Sequence, residues 1–307
     1  MRTRGEILAA VERLHVYTRG ERRAPHKPLL ILFALARLRQ GVQRALPFRE
    51  VEEGLLPLLD AFAPPVKDQH QPELPYWYLR NDNLWVVSGA ASLPLQRGGF
   101  PRMRALRDTT GGLPKDVADA LLADPTLLDE VARRLLADHF PESLQEDVLD
   151  AVGLELHEPG VQYATRVADA GTVRDPAFRS AVLRAYDHHC ALTNFQLQLR
   201  GAHLGLEAAH VHWHSHGGPS TVANGLALQA TMHKLFDHGA WSLTDDRRVL
   251  VSQDLTGADE TTKHLRSLHG RPIGAPLPGF PPVSVEFIRW HREPARGGVF
   301  RAPALPL

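Results

Sequence analysis

The chain has 307 residues with 35 basic and 35 acidic side chains. At roughly 150 residues per domain, this length predicts two domains. Because the charge is balanced, a nucleic-acid partner would need a local basic patch. A single cysteine, Cys190, excludes an internal disulfide and any zinc cage that takes two thiolates from this chain. No apolar run approaches the ~20 residues that span a bilayer, and no apolar block follows the charged first residues as in a signal peptide, so we expect a cytoplasmic protein without a membrane partner.

The first half of the chain opens with helical patterns. Residues 5–17 have the apolar spacing of an amphipathic helix, and residues 29–41 are apolar on most faces, which predicts a buried helix with Pro28 in its first turn. A third helix is expected within residues 46–62. The segment PYWYLRNDNLWVVSG, residues 75–89, has the pattern of two strands around an Asn-Asp-Asn turn. Helices followed by a hairpin predict a winged-helix-like domain.

Further helices are predicted before the composition changes. They cover residues 114–123 and 125–138, and another begins at Pro141. We expect the first domain to span residues 1–154, a linker of weak periodicity to span 155–175, and a second domain to span 176–307, starting with a helix in FRSAVLRAYDHHCAL.

Histidines crowd the second domain between Glu207 and Gly239. Because histidine titrates near neutrality and is the commonest metal ligand, this density indicates chemistry rather than packing. We predict that LEAAHVHW forms a strand, HSHGGPSTVA a loop, and NGLALQATMHKLFD a helix with Asn224 at its start. The six histidines are His210, His212, His214, His216, His233 and His238.

A strand, loop and helix that carry histidine, asparagine and histidine in this order resemble an HNH endonuclease. The flanking segments AYDHHCALTN and FDHGAWSLTDDRRVLVS extend the resemblance over roughly residues 179–302. It implies a ββα-metal fold in which His210 is the general base and Asn224 holds the loop or orients that imidazole. His233 would bind a divalent cation against the scissile phosphate.

The second protein ligand of that cation stays open at the level of sequence. Many HNH enzymes carry an aspartate directly before the catalytic histidine, where this chain has Ala209. Asp237 lies one helical turn after His233 and could bind the metal or orient that ring. Imidazole and carboxylate suit Mg, Mn, Co, Ni and Zn to different degrees. Gln229 stands where relatives often have cysteine, so no structural zinc is expected. The other candidate ligands are Glu207, His214 and His216.

The first domain resembles the sulfur-binding domain of phosphorothioate-dependent restriction proteins over residues 5–154, through APHKPLLILFALARL, LPYWYLRNDNLWVV and GGFPRM. The resemblance implies that His26 and Lys27 approach the DNA backbone and that Pro75 belongs to an apolar cup for the modified phosphate. Sulfur is larger and less hydrated than oxygen, so an apolar cup with a basic rim favours it. Lys27 stands where the family pattern has arginine, and Leu74 where it has tyrosine. Further candidate phosphate contacts are Arg22, Arg23, Gln96, Arg97, Arg102 and Arg104.

Together the two resemblances predict an α+β protein with a helical, winged-helix-like N-terminal sensor domain and a C-terminal HNH nuclease domain. It would hydrolyse phosphorothioated double-stranded DNA with a divalent metal ion, as a type IV-like restriction enzyme does. One alternative is the same nuclease with a sensor for methylated or hydroxymethylated cytosine, which Lys27 and Leu74 allow. Another is a catalytically inactive DNA-binding protein, which Ala209 allows. Cutting both strands needs two active sites or two visits, so a homodimer is one expected arrangement.

Overall fold

The structure is a computed structural model that describes residues 2–19, 22–157 and 176–306. These residues form two compact units, one made mostly of the residues before 158 and the other mostly of those from 176 onward. The predicted linker 155–175 lies almost entirely outside the described residues, and the predicted domain limits stay a prediction. None of the helices in the described ranges has the length and apolar character that crossing a bilayer requires.

Helices dominate the part of the chain before residue 158. The helices are α1 Arg4–Glu12, α2 His26–Arg39, α3 Phe48–Phe62, α4 Glu73–Tyr78, α5 Met103–Arg107, α6 Lys115–Ala123, α7 Pro125–His139 and α8 Glu142–Val152, and the strands are β1 Thr18–Arg19, β2 Arg22–Arg23, β3 Ala45–Pro47, β4 Val86–Val87 and β5 Thr110–Gly112. β5 lies between β3 and β4 in an antiparallel sheet of three strands. The helices predicted within 46–62, 114–123 and 125–138 and from Pro141 are confirmed.

Helix α2 is the centre of the first core. Ten of its residues, from Pro28 to Leu38, are buried, as expected for a helix that is apolar on most faces. It packs against α3, α4, α7 and α8, so its apolar surface is covered on several sides. Pro28 lies in its first turn, where a missing N–H leaves no bond unmade.

The predicted hairpin over residues 75–89 is wrong in its first half. Residues 73–78 form α4, a short 3₁₀ turn covers Leu79–Asp82, and only Val86–Val87 forms a strand, which pairs with β5. Tyr76, Trp77 and Leu79 are all buried, so the segment lacks the alternation of the half-buried strand that the prediction assumed. Pro72 and Pro75 also suit the start of a helix. The winged-helix-like detail that depended on this hairpin is therefore not confirmed.

In its described residues, the second unit combines short antiparallel hairpins with four helices. The helices are α9 Pro176–Ala185, α10 Ala230–Asp237, α11 Glu260–Ser267 and α12 Val285–Arg292, and the strands are β6 Leu197–Leu199, β7 Ala202–Leu204, β8 Leu206–His210, β9 Gly225–Gln229, β10 Trp241–Leu243 and β11 Val249–Val251. They pair in sequence order as β6–β7, β8–β9 and β10–β11. The helix predicted across 178–192 ends earlier, at Ala185, because Asp187 and His188 have left-handed backbone with φ of 49° and 54°.

The helix predicted from Asn224 to Asp237 is wrong in its first half. Residues 225–229 form β9, which pairs with β8 from Leu206↔Gln229 to His210↔Gly225. Leu226, Ala227 and Leu228 are fully buried, so this strand is covered on both faces and its apolar run has no alternation to mark it as a strand. The helix begins only at Ala230, and the order strand, loop, strand, helix is that of a ββα element.

A buried histidine joins α12 to this element. His291 is fully buried and its ring stacks on Phe236 with centroids 3.6 Å apart. A carbonyl only accepts, so Nε2 donates to the Phe236 carbonyl oxygen at 3.0 Å and Nδ1 accepts from the Ser242 hydroxyl at 2.9 Å. Burial lowers the pKa of His291 to about 4, although Asp237 and the Phe236 carbonyl act in the opposite direction.

His291 is expected to make the protein less stable in mild acid. Its pKa is about 4 when folded and about 6.5 when unfolded, so the stability present above pH 6.5 is lost as the pH falls toward 4. Between about pH 7.5 and about pH 5 the loss is roughly 2 kcal/mol in the free energy of unfolding. Urea unfolding of the full chain at both pH values checks this, because His291→Leu should remove that part of the pH dependence. Equal pH dependence in the two proteins would contradict it.

Candidate active site and DNA-binding face

Asn224 fixes the loop between β8 and β9. Its side chain is fully buried, Oδ1 accepts from the His212 backbone N–H at 2.8 Å, and Nδ2 donates to the carbonyl oxygens of His212 and Pro219, both at 2.9 Å. Gly218 lets the loop close, because a Cβ there would lie 1.9 Å from the His212 carbonyl oxygen. The sequence predicts that Asn224 either holds this loop or orients the His210 imidazole, and these hydrogen bonds are those expected of a residue that holds the loop.

His233 on α10 lies between two carboxylates. Its Nδ1 donates to Glu207 Oε2 at 2.7 Å, and its Nε2 is 3.1 Å from Asp237 Oδ2. Burial lowers the pKa of His233, but the charge and hydrogen bond of Asp237 and then those of Glu207 outweigh it and raise that pKa to about 10. Without a bound cation, the ring therefore carries a proton on each nitrogen and neutralises part of the carboxylate charge.

The two carboxylates differ in access to solvent. The Glu207 side chain is 40% exposed, whereas that of Asp237 is 1% exposed. Asp237 Oδ1 also accepts from Trp213 Nε1 at 2.7 Å, so this carboxylate is held from a second side. Glu207 is accessible to a cation from solvent, and Asp237 is placed to orient the His233 ring.

The side chains here can offer a divalent cation two ligands, which are the His233 imidazole and one carboxylate. In the described ranges no group of three or more His, Cys, Asp or Glu side chains is arranged to hold a metal ion. The two carboxylates contact opposite nitrogens of His233, so both cannot share one cation with that ring. A cation bound by one or two protein carboxylates, with waters and substrate phosphate completing its shell, needs no larger cluster.

His210 has different neighbours. Its ring stacks on Phe178 of α9 with centroids 3.9 Å apart, and its Nε2 lies 3.2 Å from Ser220 Oγ. Residues three apart on a strand point to opposite faces, so His210 faces α9 where Glu207 faces α10. The structure thus brings Glu207, His233 and Asp237 together in one group and His210 and Ser220 in another.

The other loop histidines pack against aromatic rings. His212 stacks on Trp290 with centroids 4.2 Å apart, and the His216 ring meets Trp290 edge-on at 5.7 Å. His214 lies beside His210, with centroids 5.6 Å apart, and makes no ion pair with Glu207 or Asp237 in the described residues. These contacts do not place His214 or His216 as partners of His233, and the two stay predictions as ligands.

In the first unit, Lys27 is held by an ion pair. Its Nζ donates to Asp82 Oδ2 at 2.6 Å and to the His15 carbonyl oxygen at 2.7 Å, and the two charged side chains are 12% and 6% exposed. His26, at the start of the same helix, has its ring 5.4 Å from that of His70. The structure thus gives Lys27 a protein partner at the position predicted to meet DNA.

Arg80 is a positively charged side chain that the sequence pattern did not single out. The Arg80 guanidinium sits 3.4 Å over the Trp77 ring, and its Nε donates to the Trp77 carbonyl oxygen at 2.8 Å. Partial burial lowers the pKa of Arg80, and the described residues offer it no ion pair. An unneutralised, partly desolvated guanidinium is suited to a phosphate. The signal available in the sequence was the spacing of Trp77 and Arg80, which share a helical face.

Arg80 borders an apolar surface, which we call the aromatic face and define as Leu74, Trp77, Tyr78 and Phe100. Leu74 and Tyr78 are both 37% exposed, and the Phe100 ring lies 6.1 Å from that of Tyr78. Trp77 Nε1 donates to the Gly99 carbonyl oxygen at 3.0 Å and so ties the loop before Phe100 to α4. Leu74 is exposed at this face, whereas Pro75, the residue predicted for the cup, is buried, and the cup stays a prediction.

The remaining predicted phosphate contacts are divided. Gln96, Arg97, Arg102 and Arg104 are exposed on the segment that contains Phe100. The side chains of Arg22 and Arg23 lie outside the described residues. The loop from 95 to 101 closes through an isolated bridge between Leu95 and Pro101, so Arg97 lies within one short turn and Arg102 directly follows it.

Family comparisons separate the two halves of the chain. Residues 4–157 match the ScoMcrA-like DNA sulfur-binding domain. The chain belongs to that family. Residues 190–244 match the HNH endonuclease family, a range that contains β8, the Asn224 loop, β9 and α10. The sulfur-binding domain and the HNH domain predicted from the two resemblances are thus both confirmed.

Several solved structures are similar to parts of this chain. The sulfur-binding domain of ScoMcrA complexed with phosphorothioated DNA is 25% identical with a TM-score of 0.41, over 48% of this chain and 94% of that one. The corresponding SprMcrA domain is 21% identical with a TM-score of 0.42, over 50% and 95%. The modification-dependent TagI restriction endonuclease is 22% identical with a TM-score of 0.29, over 47% and 41%. No curated protein matches the chain. The assignment rests on the family matches.

Proposed function

We propose that this protein is a modification-dependent DNA endonuclease of the type IV kind, which recognises phosphorothioated DNA and hydrolyses its phosphodiester bonds. The observation that carries the proposal is His233 held between Glu207 and Asp237 in a ββα element, in a chain whose first half belongs to the sulfur-binding family. The cytoplasm, where incoming DNA is restricted, is the proposed place of action.

The proposed active site divides its work among five side chains. Glu207 and His233 Nδ1 would hold a divalent cation, which when bound supplies charge stabilisation to the phosphate. Asp237 keeps the His233 ring oriented through Nε2. His210 takes the proton of the attacking water at an imidazole nitrogen while the water oxygen bonds to phosphorus and the bond to the leaving oxygen breaks. Asn224 keeps the loop that follows His210 in place.

The sensor would read sulfur through the aromatic face. A sulfur atom is poorly hydrated, so contact with Leu74, Tyr78 and Phe100 desolvates it at little cost. The phosphorothioate still carries a negative charge, and Arg80 at the edge of this face would hold it. Lys27 would act indirectly, because its ion pair with Asp82 fixes the start of α2 against the turn that follows α4.

Arg80→Ala is expected to weaken binding to a phosphorothioated duplex about tenfold, the size of one lost charge-assisted contact, and to weaken binding to an unmodified duplex less. Lys27→Ala should instead lower the melting temperature, because it leaves Asp82 buried without its cation. Competition binding with matched duplexes, together with thermal unfolding, checks both. Arg49→Ala serves as the control, because Arg49 is an exposed arginine on α3 that pairs with Glu53 and is not among the predicted phosphate contacts. A folded Lys27→Ala protein that loses selectivity, while Arg80→Ala keeps it, would return the direct contact to Lys27.

Two active sites are needed to cut both strands in one binding event. We include in the proposal a homodimer that supplies them, since one chain carries one ββα element within its described residues. Sedimentation of the protein with and without phosphorothioated duplex tests this part separately from the chemistry.

A further inference from the structure

The second unit contains a basic cavity outside the ββα element. Its volume is about 570 Å³, and it opens beside strand β11 and helix α11. Its lining residues are Arg248, Arg266, His269, Gly270, Leu305 and Pro306. None of them belongs to β8, β9 or α10, and none is an acid, so the cavity presents positive charge without a carboxylate in its wall.

His269 contributes a hydrogen-bond donor to this wall. Its Nδ1 accepts from the Val251 backbone N–H at 3.0 Å, so the proton of the neutral ring is on Nε2. Nε2 is buried and has no hydrogen-bond partner among the described residues. A buried donor without an acceptor is costly, so a ligand oxygen that accepted from Nε2 would gain a hydrogen bond there.

Two guanidinium groups converge on the same cavity. Arg266 Nη2 donates to the Leu255 carbonyl oxygen at 2.5 Å, and no carboxylate in the described residues pairs with this side chain. Arg248 pairs through Nε with Asp246 Oδ2 at 3.0 Å and donates from Nη1 to the Gly270 carbonyl oxygen, which leaves Nη2 available. The Arg248–Asp246 pair is at the surface, with side chains 50% and 67% exposed, so solvent screens it. The cavity therefore keeps net positive charge.

We infer that this cavity binds a phosphate group, with Arg266, Arg248 and the Nε2–H of His269 as its donors. A guanidinium fork can donate to two oxygens of one phosphate, and the imidazole Nε2–H adds a directional donor. The phosphate can belong to the backbone of bound DNA or be free inorganic phosphate, since both present the same oxyanion. The inference does not depend on cleavage by the His233 site.

Binding of an unmodified duplex to the full chain tests the backbone source. Arg266→Ala is expected to weaken binding about tenfold, and to lower the slope of log K against log salt by about 0.9, the value for one lost phosphate contact. His269→Asn keeps an acceptor for the Val251 N–H but leaves no donor at the position of Nε2, because the shorter amide carries its N–H groups elsewhere. It should therefore weaken binding about threefold with an unchanged melting temperature. Arg271→Ala is the matched control, because Arg271 is exposed near the cavity without lining it.

Titration with inorganic phosphate tests the free source. In protein with ¹⁵N-labelled histidine, phosphate should shift the Nε2–H resonance of His269, and Arg266→Ala should abolish the shift. If Arg266→Ala and His269→Asn weaken duplex binding and Arg271→Ala does not, the bound phosphate belongs to the DNA backbone. If phosphate shifts the His269 resonance and no variant weakens duplex binding, the site binds free phosphate. A duplex effect equal to that of Arg271→Ala, together with no resonance shift, would overturn the inference. Because cleavage is not measured, failure here is distinct from failure of the proposed nuclease.

Discussion

Replacing His233 with Ala is expected to lower DNA cleavage at least about 10³-fold, which corresponds to roughly 4 kcal/mol of transition-state stabilisation. Binding to phosphorothioated duplex should not change. The reason is that His233 is the side chain that connects Glu207 to Asp237, so its loss leaves the cation without its imidazole and Asp237 without a ring to orient. Single-turnover cleavage with saturating protein, at a fixed metal concentration, measures the chemistry apart from DNA affinity.

Two companion variants make the His233 result specific. Asp237→Asn should lower metal affinity about 10- to 100-fold, because a group that only orients a ligand has an effect of that size. His264→Ala is the matched control, since His264 is an exposed histidine on α11 and outside this group. Cleavage by His233→Ala at the rate of the His264→Ala protein would remove His233 from the active site.

The second large effect is expected at His210. His210→Ala should reduce cleavage about 10²- to 10⁴-fold, the usual contribution of a general base, with DNA binding and metal affinity unchanged. Phe178 stacks on the His210 ring and Ser220 Oγ lies beside its Nε2, and these two contacts hold the imidazole. Glu207 lies on the opposite face of the same strand. The rate of a single turnover as a function of pH is the measurement, and the variant should lose the acidic limb that a base produces.

His212→Ala belongs in the same experiment. The His212 backbone is clamped by Asn224 and its ring stacks on Trp290, which makes it the other histidine of the loop with a fixed position. We expect its replacement to lower the melting temperature and to retain the pH profile. If His212→Ala loses the acidic limb and His210→Ala keeps it, the base is His212.

The sequence is sufficient for most of the long helices because their apolar residues recur with the helical period. Helix α2 is apolar on most faces and is instead marked by its length and by Pro28 in its first turn. It misplaces two short elements for one physical reason. In both 73–78 and 225–229 the residues are buried on more than one face, so the pattern of apolar positions no longer distinguishes a helix from a strand. The choice is made by partners distant in sequence, which are α2 for the first segment and β8 for the second.

The active-site residues show the same limit. The order of His210, Asn224 and His233 is visible in the sequence because the motif is local. The different roles of Glu207 and Asp237 cannot be predicted from the sequence. They depend on how deeply each carboxylate is buried and on the hydrogen bond that the Trp213 indole donates to Asp237. In the first unit, the pairing of Lys27 with Asp82 spans 55 residues and changes which cation can meet DNA. Such pairings follow from the tertiary fold, which residue spacing does not encode.

The central claim is tested most directly by cleavage of matched duplexes that are unmodified, phosphorothioated, or modified on cytosine, each with Mg or Mn and with EDTA. The account predicts metal-dependent cutting of the phosphorothioated duplex alone, abolished by His233→Ala. Cutting of the cytosine-modified duplex alone would keep the nuclease and contradict the proposed sensor. Binding of the phosphorothioated duplex without cutting of any duplex would contradict the proposed enzyme and indicate a DNA-binding protein.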